Sequence, residues 1–186
     1  MKIYETKVEA GTKQWLKIPV DEECSLKAAA FCGSRPGKRL IVTAGVHGCE
    51  YIGILAVSRL IQELDPRQMK GEVVFLPIAN EGGFYKEIKQ LVPEDGVNLN
   101  RAFPGTEMSA KIAAAVEKYL YPDADFLVDL HSGDIHEMVV PFAFFPVAAG
   151  ETVEKKAAAA ARALSLSWRV ASTAKNGLYS WAAQKG

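Results

Sequence analysis

Between Arg39 and Ala79 the sequence reads strand, helix, strand, and this unit constrains the fold more than any other stretch. Arg39 to Val46 is a continuous apolar run after its basic start, as expected of a central strand covered on both faces. From Glu50 to Leu64 the residues Ile54, Leu55, Val57, Leu60, Ile61 and Leu64 recur at helical spacing, and Asp65-Pro66 stops the helix. Glu72 to Ala79 is a second buried strand, with Pro77 an unusual residue inside it. Such a unit implies a parallel pair joined by a right-handed crossover.

The rest of the chain extends this pattern. Residues 2–9, Gln14 to Val20 and Ser25 to Cys32 read as strands of an antiparallel edge, and Gly33 to Gly37 as a turn. Asn80 to Gly105 is a long loop rich in Gly, Pro, Asn and Asp, the kind that usually carries function. Thr106 and Ser109 offer caps for a helix through Leu120. Asp125 to Leu130 is a third buried strand, Met138 to Phe145 a fourth, Glu151 to Leu164 a helix, and Leu166 to Val170 one more strand. No closing element is evident before Gly186. The expected architecture is one α/β domain over residues 1–186, a three-layer α/β/α sandwich around a mixed, mainly parallel sheet.

Charge and composition narrow the function classes. Acidic and basic residues balance at 22 each, which argues against a broad basic face for nucleic acid. Three cysteines without a CxxC pair argue against a disulfide framework. The start has no apolar signal core, and no run is long enough to span a bilayer. A cytoplasmic protein that engages neither membrane nor nucleic acid is expected. Its oligomeric state is not legible.

Three short stretches carry chemistry. In Gly45-Val-His47-Gly-Cys-Glu50, a His and a Glu three positions apart follow a strand end and can reach one divalent cation together. The alternative is a helix cap, with Glu50 favoured by the helix N-terminus. Asp129-Leu-His131 ends another strand, and His131 completes the His2Glu set of many catalytic zinc sites. Asp129 lies on the same strand face as His131, either orienting its imidazole or simply solvated. His136 follows a Gly-Asp turn and reads as a loop residue. In Asn98-Leu-Asn100-Arg101-Ala-Phe-Pro-Gly105, a guanidinium and a neighbouring amide can grip a carboxylate. An Asx-turn with a surface Arg is the alternative.

Together these motifs resemble the signature set of the zinc carboxypeptidase superfamily, nearest its succinylglutamate desuccinylase and aspartoacylase branch. The resemblance covers roughly residues 40–145. It implies that His47, Glu50 and His131 bind one Zn2+ and that Asn100 and Arg101 hold the carboxylate of a small-molecule substrate. It also implies that the reaction is amide hydrolysis of an N-acyl amino acid. A metallocarboxypeptidase acting on peptides or cell-wall fragments, and an inactive zinc- or ligand-binding fragment, are the other readings. Two departures stand out. The family's general-base glutamate has no match after His131, where only Glu137, Glu151 and Glu154 remain. Lys86 and Lys89 stand where the family places an arginine before the Asn-Arg motif, and Asn98 stands where many relatives have an Asp. The family fold normally runs further, so a C-terminally truncated, incomplete domain with negligible hydrolysis of its own is expected.

Overall fold

The computed structural model describes residues 1–103 and 107–186. Alternating residues at the start form a small antiparallel hairpin, β1 (Lys2–Ile3) and β2 (Thr6–Lys7), turned at Tyr4 with φ +51°. Then follow β3 (Thr12–Pro19), β4 (Ser25–Cys32), β5 (Arg35–Ala44), α1 (Tyr51–Glu63) and β6 (Lys70–Leu76). After these come α2 (Glu81–Tyr85), α3 (Met108–Tyr119), β7 (Phe126–Leu130), β8 (Phe142–Pro146), α4 (Glu151–Ala163), β9 (Trp168–Ser172) and α5 (Leu178–Lys185).

Five strands form a mixed sheet in the order β3-β4-β6-β5-β7. β5 pairs in parallel with both β6 and β7, while β3–β4 and β4–β6 are antiparallel. The strand-helix-strand unit therefore sits at the sheet's centre, as its apolar run required. Side chains alternate across β4 and sort into two cores. Ala29 and Phe31 join Val42, Ala44 and Phe75 beneath Ile54, Val57 and Ile61 of α1. Ala28 and Ala30 join Ile41 and Val74 beneath Ile112 and Val116 of α3 and Leu178 of α5. The three layers are thus α1, the sheet, and α3 with α5.

Several sequence expectations are corrected. β5 begins at Arg35, so Pro36 and Gly37 lie in the strand, with a register shift against β6 between Arg35 and Arg39. A bulge tolerates a proline that regular pairing would reject. β6 ends at Leu76, which leaves Pro77 outside the ladder. Of the α1 residues at helical spacing, Leu55 and Leu60 are exposed, as is Ile52. Thr106 lies outside the described residues, and so do Pro104 and Gly105. Ser109 is inside α3, and its N–H donates to Asp95 Oδ2 at 2.7 Å. A side chain fourteen residues upstream serves the helix start in place of a local cap. β8 and β9 pair with each other in parallel rather than extending the main sheet. The last helix, α5, packs against the main core through Leu178.

Candidate metal centre and its relatives

His47 and Glu50 flank the turn after β5, and His131 follows β7 directly. Because β5 and β7 are parallel neighbours, the C-terminal ends of both strands lie on one rim of the sheet. One nitrogen of each ring and one Glu50 oxygen lie within 4.8 Å of one another, a set that could hold a metal ion.

The geometry around Glu50 is specific. Its Oε1 meets His47 Nδ1 at 2.6 Å and its Oε2 meets His131 Nδ1 at 2.8 Å. The Ser132 N–H also donates to Oε2 at 3.0 Å. The outer nitrogens are held too. His131 Nε2 faces Asp129 Oδ2 at 2.9 Å, and Thr43 Oγ1 donates to Asp129 Oδ1 at 2.6 Å. The Asp129 side chain is fully buried, which rules out its solvated reading. His47 Nε2 faces Asn98 Oδ1 at 3.1 Å. That oxygen also accepts the Asn100 N–H at 2.9 Å, so it is an acceptor and His47 carries its proton on Nε2. The His47 Nδ1 lone pair is then turned toward a carboxylate, and only a proton or a cation between them makes that contact attractive. Glu50 is 11% exposed in its side chain, His47 12% and His131 31%. These donors fit a divalent cation: two ring nitrogens and a carboxylate converge, and the far side of each ring is fixed by an acceptor.

Charge follows geometry. Burial opposes ionisation of Glu50, but the hydrogen bond from His131, the close His47 ring, the His131 charge and the Ser132 N–H outweigh it and hold the acid at about 2. Burial likewise opposes the His131 charge, yet the Asp129 and Glu50 carboxylates raise it to about 10. Without metal the cluster is a carboxylate–imidazolium pair. The Glu50 contribution to stability is complete above its ordinary 4.5 and is lost as pH falls through about 2. The His131 contribution is complete below its ordinary 6.5 and is lost as pH rises through about 10. Chelator-treated protein is therefore expected to gain most from this cluster between pH 4.5 and 6.5. Thermal unfolding against pH checks this. A loss between pH 6.5 and 10 as large in His131→Gln as in the native sequence would refute it.

The succinylglutamate desuccinylase/aspartoacylase catalytic-domain model matches residues 36–185. The chain belongs to this family. It is 30% identical over 164 residues to the N-alpha-acetyl-L-2,4-diaminobutyric acid deacetylase of Halomonas elongata, covering 84% of this chain and 48% of that protein. Among solved structures, a succinylglutamate desuccinylase from Silicibacter sp. TM1040 superposes with TM-score 0.79 at 27% identity. That match covers 94% of this chain and 56% of the other. An aspartoacylase family protein from Mesorhizobium loti gives 0.77 at 26% identity, over 94% and 57%. The product-bound ectoine utilization protein EutE (DoeB) of Ruegeria pomeroyi gives 0.77 at 26%, over 94% and 56%. The chain thus spans about half the length of the relatives it matches.

Within this family member the remaining motif residues are placed as follows. Leu99–Arg101 forms a 3-10 turn begun by Asn98, whose side-chain oxygen takes the Asn100 N–H and faces the His47 ring. Arg101 is exposed, bonds the Asn100 carbonyl at 2.8 Å, and has no carboxylate partner among the described residues. Lys86 pairs with Glu94 at 3.3 Å and Lys89 with Asp134 at 2.8 Å, so both lysines are committed to acidic partners. Glu154 accepts the Ala149 and Gly150 N–H groups, and Glu151 pairs with Lys155. Glu137 is exposed, and its backbone N–H donates to Asp134. Among the described residues no carboxylate besides Glu50 and Asp129 bonds either ring. Sequence reasoning missed Ser132, which acts through its backbone and leaves no side-chain signal. It also undervalued Asn98, whose oxygen serves the ring and the turn at once.

No helix among the described residues is long and apolar enough to cross a membrane.

Proposed function

We propose that the protein is a zinc-dependent hydrolase that removes the acyl group from an N-acylated amino acid. His47, Glu50 and His131 are the metal ligands, and Asn100 and Arg101 anchor the substrate carboxylate. The observation that carries this reading is the convergence of both Nδ1 atoms on Glu50, with Asn98 and Asp129 behind the rings. Relatives named as a deacetylase and a desuccinylase support the substrate class. Bound there, zinc supplies a Lewis acid that polarises the scissile carbonyl and acidifies a water.

The chain's own residues do the positioning. Asn98 keeps the His47 proton on Nε2, leaving Nδ1 free as a ligand. Asp129 fixes the His131 ring and offsets its charge. The Arg101 guanidinium, without a carboxylate partner among the described residues, offers N–H donors to a carboxylate, and Asn100 adds an amide.

The test reads metal and ligand binding. The protein is expected to bind about one zinc per chain, with N-acetyl-L-2,4-diaminobutyrate, N-acetyl-L-aspartate or N-succinyl-L-glutamate as probes. His47→Ala should lose the metal, and full zinc retention by that variant would overturn the ligand set. Arg101→Ala should keep zinc and weaken the best carboxylate probe by about tenfold or more. Equal affinity in native and variant protein would remove Arg101 from the anchor. Asp129→Ala should weaken zinc by roughly 10–100-fold, as losing an outer partner of a ligand histidine does. Competition against a chromophoric chelator measures it, and an unchanged constant would leave Asp129 without that role.

A further inference from the structure

Asn100 makes one contact that a carboxylate anchor does not require. Its Oδ1 accepts the backbone N–H of Leu178 at 3.0 Å, from a residue 78 positions later. Leu178 opens α5, and other bonds tie that helix down. Tyr121 Oη donates to the Leu178 carbonyl at 2.7 Å, Trp181 Nε1 donates to Glu117 Oε2 at 2.6 Å, and Lys185 pairs with Glu117 at 2.8 Å. On its other side, Asn100 is fixed through its backbone, because Asn98 Oδ1 takes both the Asn100 N–H and the His47 ring. The Asn100 residue is therefore held from the metal side by Asn98 and from the far side by α5.

This grip has a chemical consequence. A side-chain amide has one accepting oxygen and one donating nitrogen, and a flip exchanges them. An N–H on the oxygen excludes the flip, so the NH2 group is turned away from Leu178. That NH2 has no partner among the described residues. We propose that the Gly177–Leu178 turn is a positioning element that locks Asn100 as a hydrogen-bond donor to the substrate carboxylate. The proposal rests on the reading of Asn100 and Arg101 as the anchor. A flipped Asn100 would present an oxygen to the carboxylate and repel it, so the lock also makes the site select a carboxylate over a carboxamide.

Gly177 is required for this turn. Its φ is +114°, and a Cβ there would stand 2.7 Å from Asn100 Oδ1 and 3.1 Å from the Asn100 carbonyl oxygen. Gly177→Ala must therefore separate α5 from Asn100, while touching neither His47, Glu50 nor His131.

The experiment compares zinc-loaded native protein with Gly177→Ala and Asn100→Asp, using N-acetyl-L-2,4-diaminobutyrate and its α-carboxamide as probes. Asn100→Asp keeps an acceptor for the Leu178 N–H but cannot donate. Zinc content should be unchanged in both variants. Gly177→Ala should bind the carboxylate probe about tenfold more weakly and the carboxamide as the native protein does. Equal weakening of both probes, or of neither, overturns the positioning role. If Arg101→Ala and Asn100→Asp also bind the carboxylate normally, the anchor reading itself fails, which is a separate result. A measurement on unaltered protein covers the case of a misfolded variant. Saturating carboxylate probe should slow hydrogen exchange at the Leu178 amide, and the carboxamide should not. Exchange at Leu178 that ignores a bound carboxylate overturns the proposal.

Discussion

Glu50→Gln is expected to abolish zinc binding at equimolar metal while leaving the fold intact. The loss should exceed about 100-fold, beyond the range for an outer partner, because a charged ligand between two imidazoles disappears. The fold should survive for a reason visible in the hydrogen bonds. The glutamine oxygen can stay with the Ser132 N–H and the protonated His131 Nδ1, where Glu50 Oε2 now lies. Its NH2 then faces His47 Nδ1, which is an acceptor because Asn98 holds the His47 proton on Nε2. Every polar atom of the substituted cluster keeps a partner, so the fold survives even though the charge attraction between residue 50 and His131 is lost. Zinc titration with unfolding curves on the same samples measures both effects. A variant that binds zinc like the native protein would exclude Glu50 as a ligand. One that unfolds would show that the carboxylate, rather than its hydrogen bonds, holds the two loops together.

Much of this arrangement was legible because local pattern and global packing agree. The β5–α1–β6 unit has the apolar run, the helical spacing and the Asp65-Pro66 stop that such a unit needs, and it is the centre of the sheet. His47 and His131 were placed by strand ends, and β5–β7 pairing brings those ends together. What escaped depends on contacts distant in sequence. The start of α3 takes its acceptor from Asp95, and α5 docks through Tyr121 and Asn100. Nothing within either helix announces those partners. The exposed Ile52 and Leu55 belong to an apolar pattern wider than the face that α1 buries, so periodicity overstated its core. The Pro36-Gly37 pair looked like a turn because local propensity cannot register a bulge inside a central strand.

Gly48→Ala is expected to damage stability and metal affinity together, and the reason lies in α2 rather than in the metal. A Cβ at residue 48 would stand 2.2 Å from the Gly83 carbonyl carbon and 2.4 Å from the Phe84 nitrogen. Both are backbone atoms, so no rotamer change relieves the clash. Nor can α2 retreat freely. Asn80 Oδ1 accepts the Gly83 N–H at 2.9 Å while Asn80 Nδ2 donates to the Leu91 carbonyl at 3.0 Å, fixing the start of the helix. The Asn80 amide also fills the space beside Gly83, where an added Cβ would stand 2.6 Å from Nδ2. The turn between His47 and Glu50 must therefore yield, and these two side chains lie one and two positions from the clash. A cost of about 3 kcal/mol, the upper end for overpacking, is expected in chemical denaturation. Zinc should bind at least about tenfold more weakly, because ligands displaced by a fraction of an ångström no longer converge. Loss of stability with unchanged zinc affinity would show that α2 moves and the ligand turn does not, which would separate the scaffold from the site.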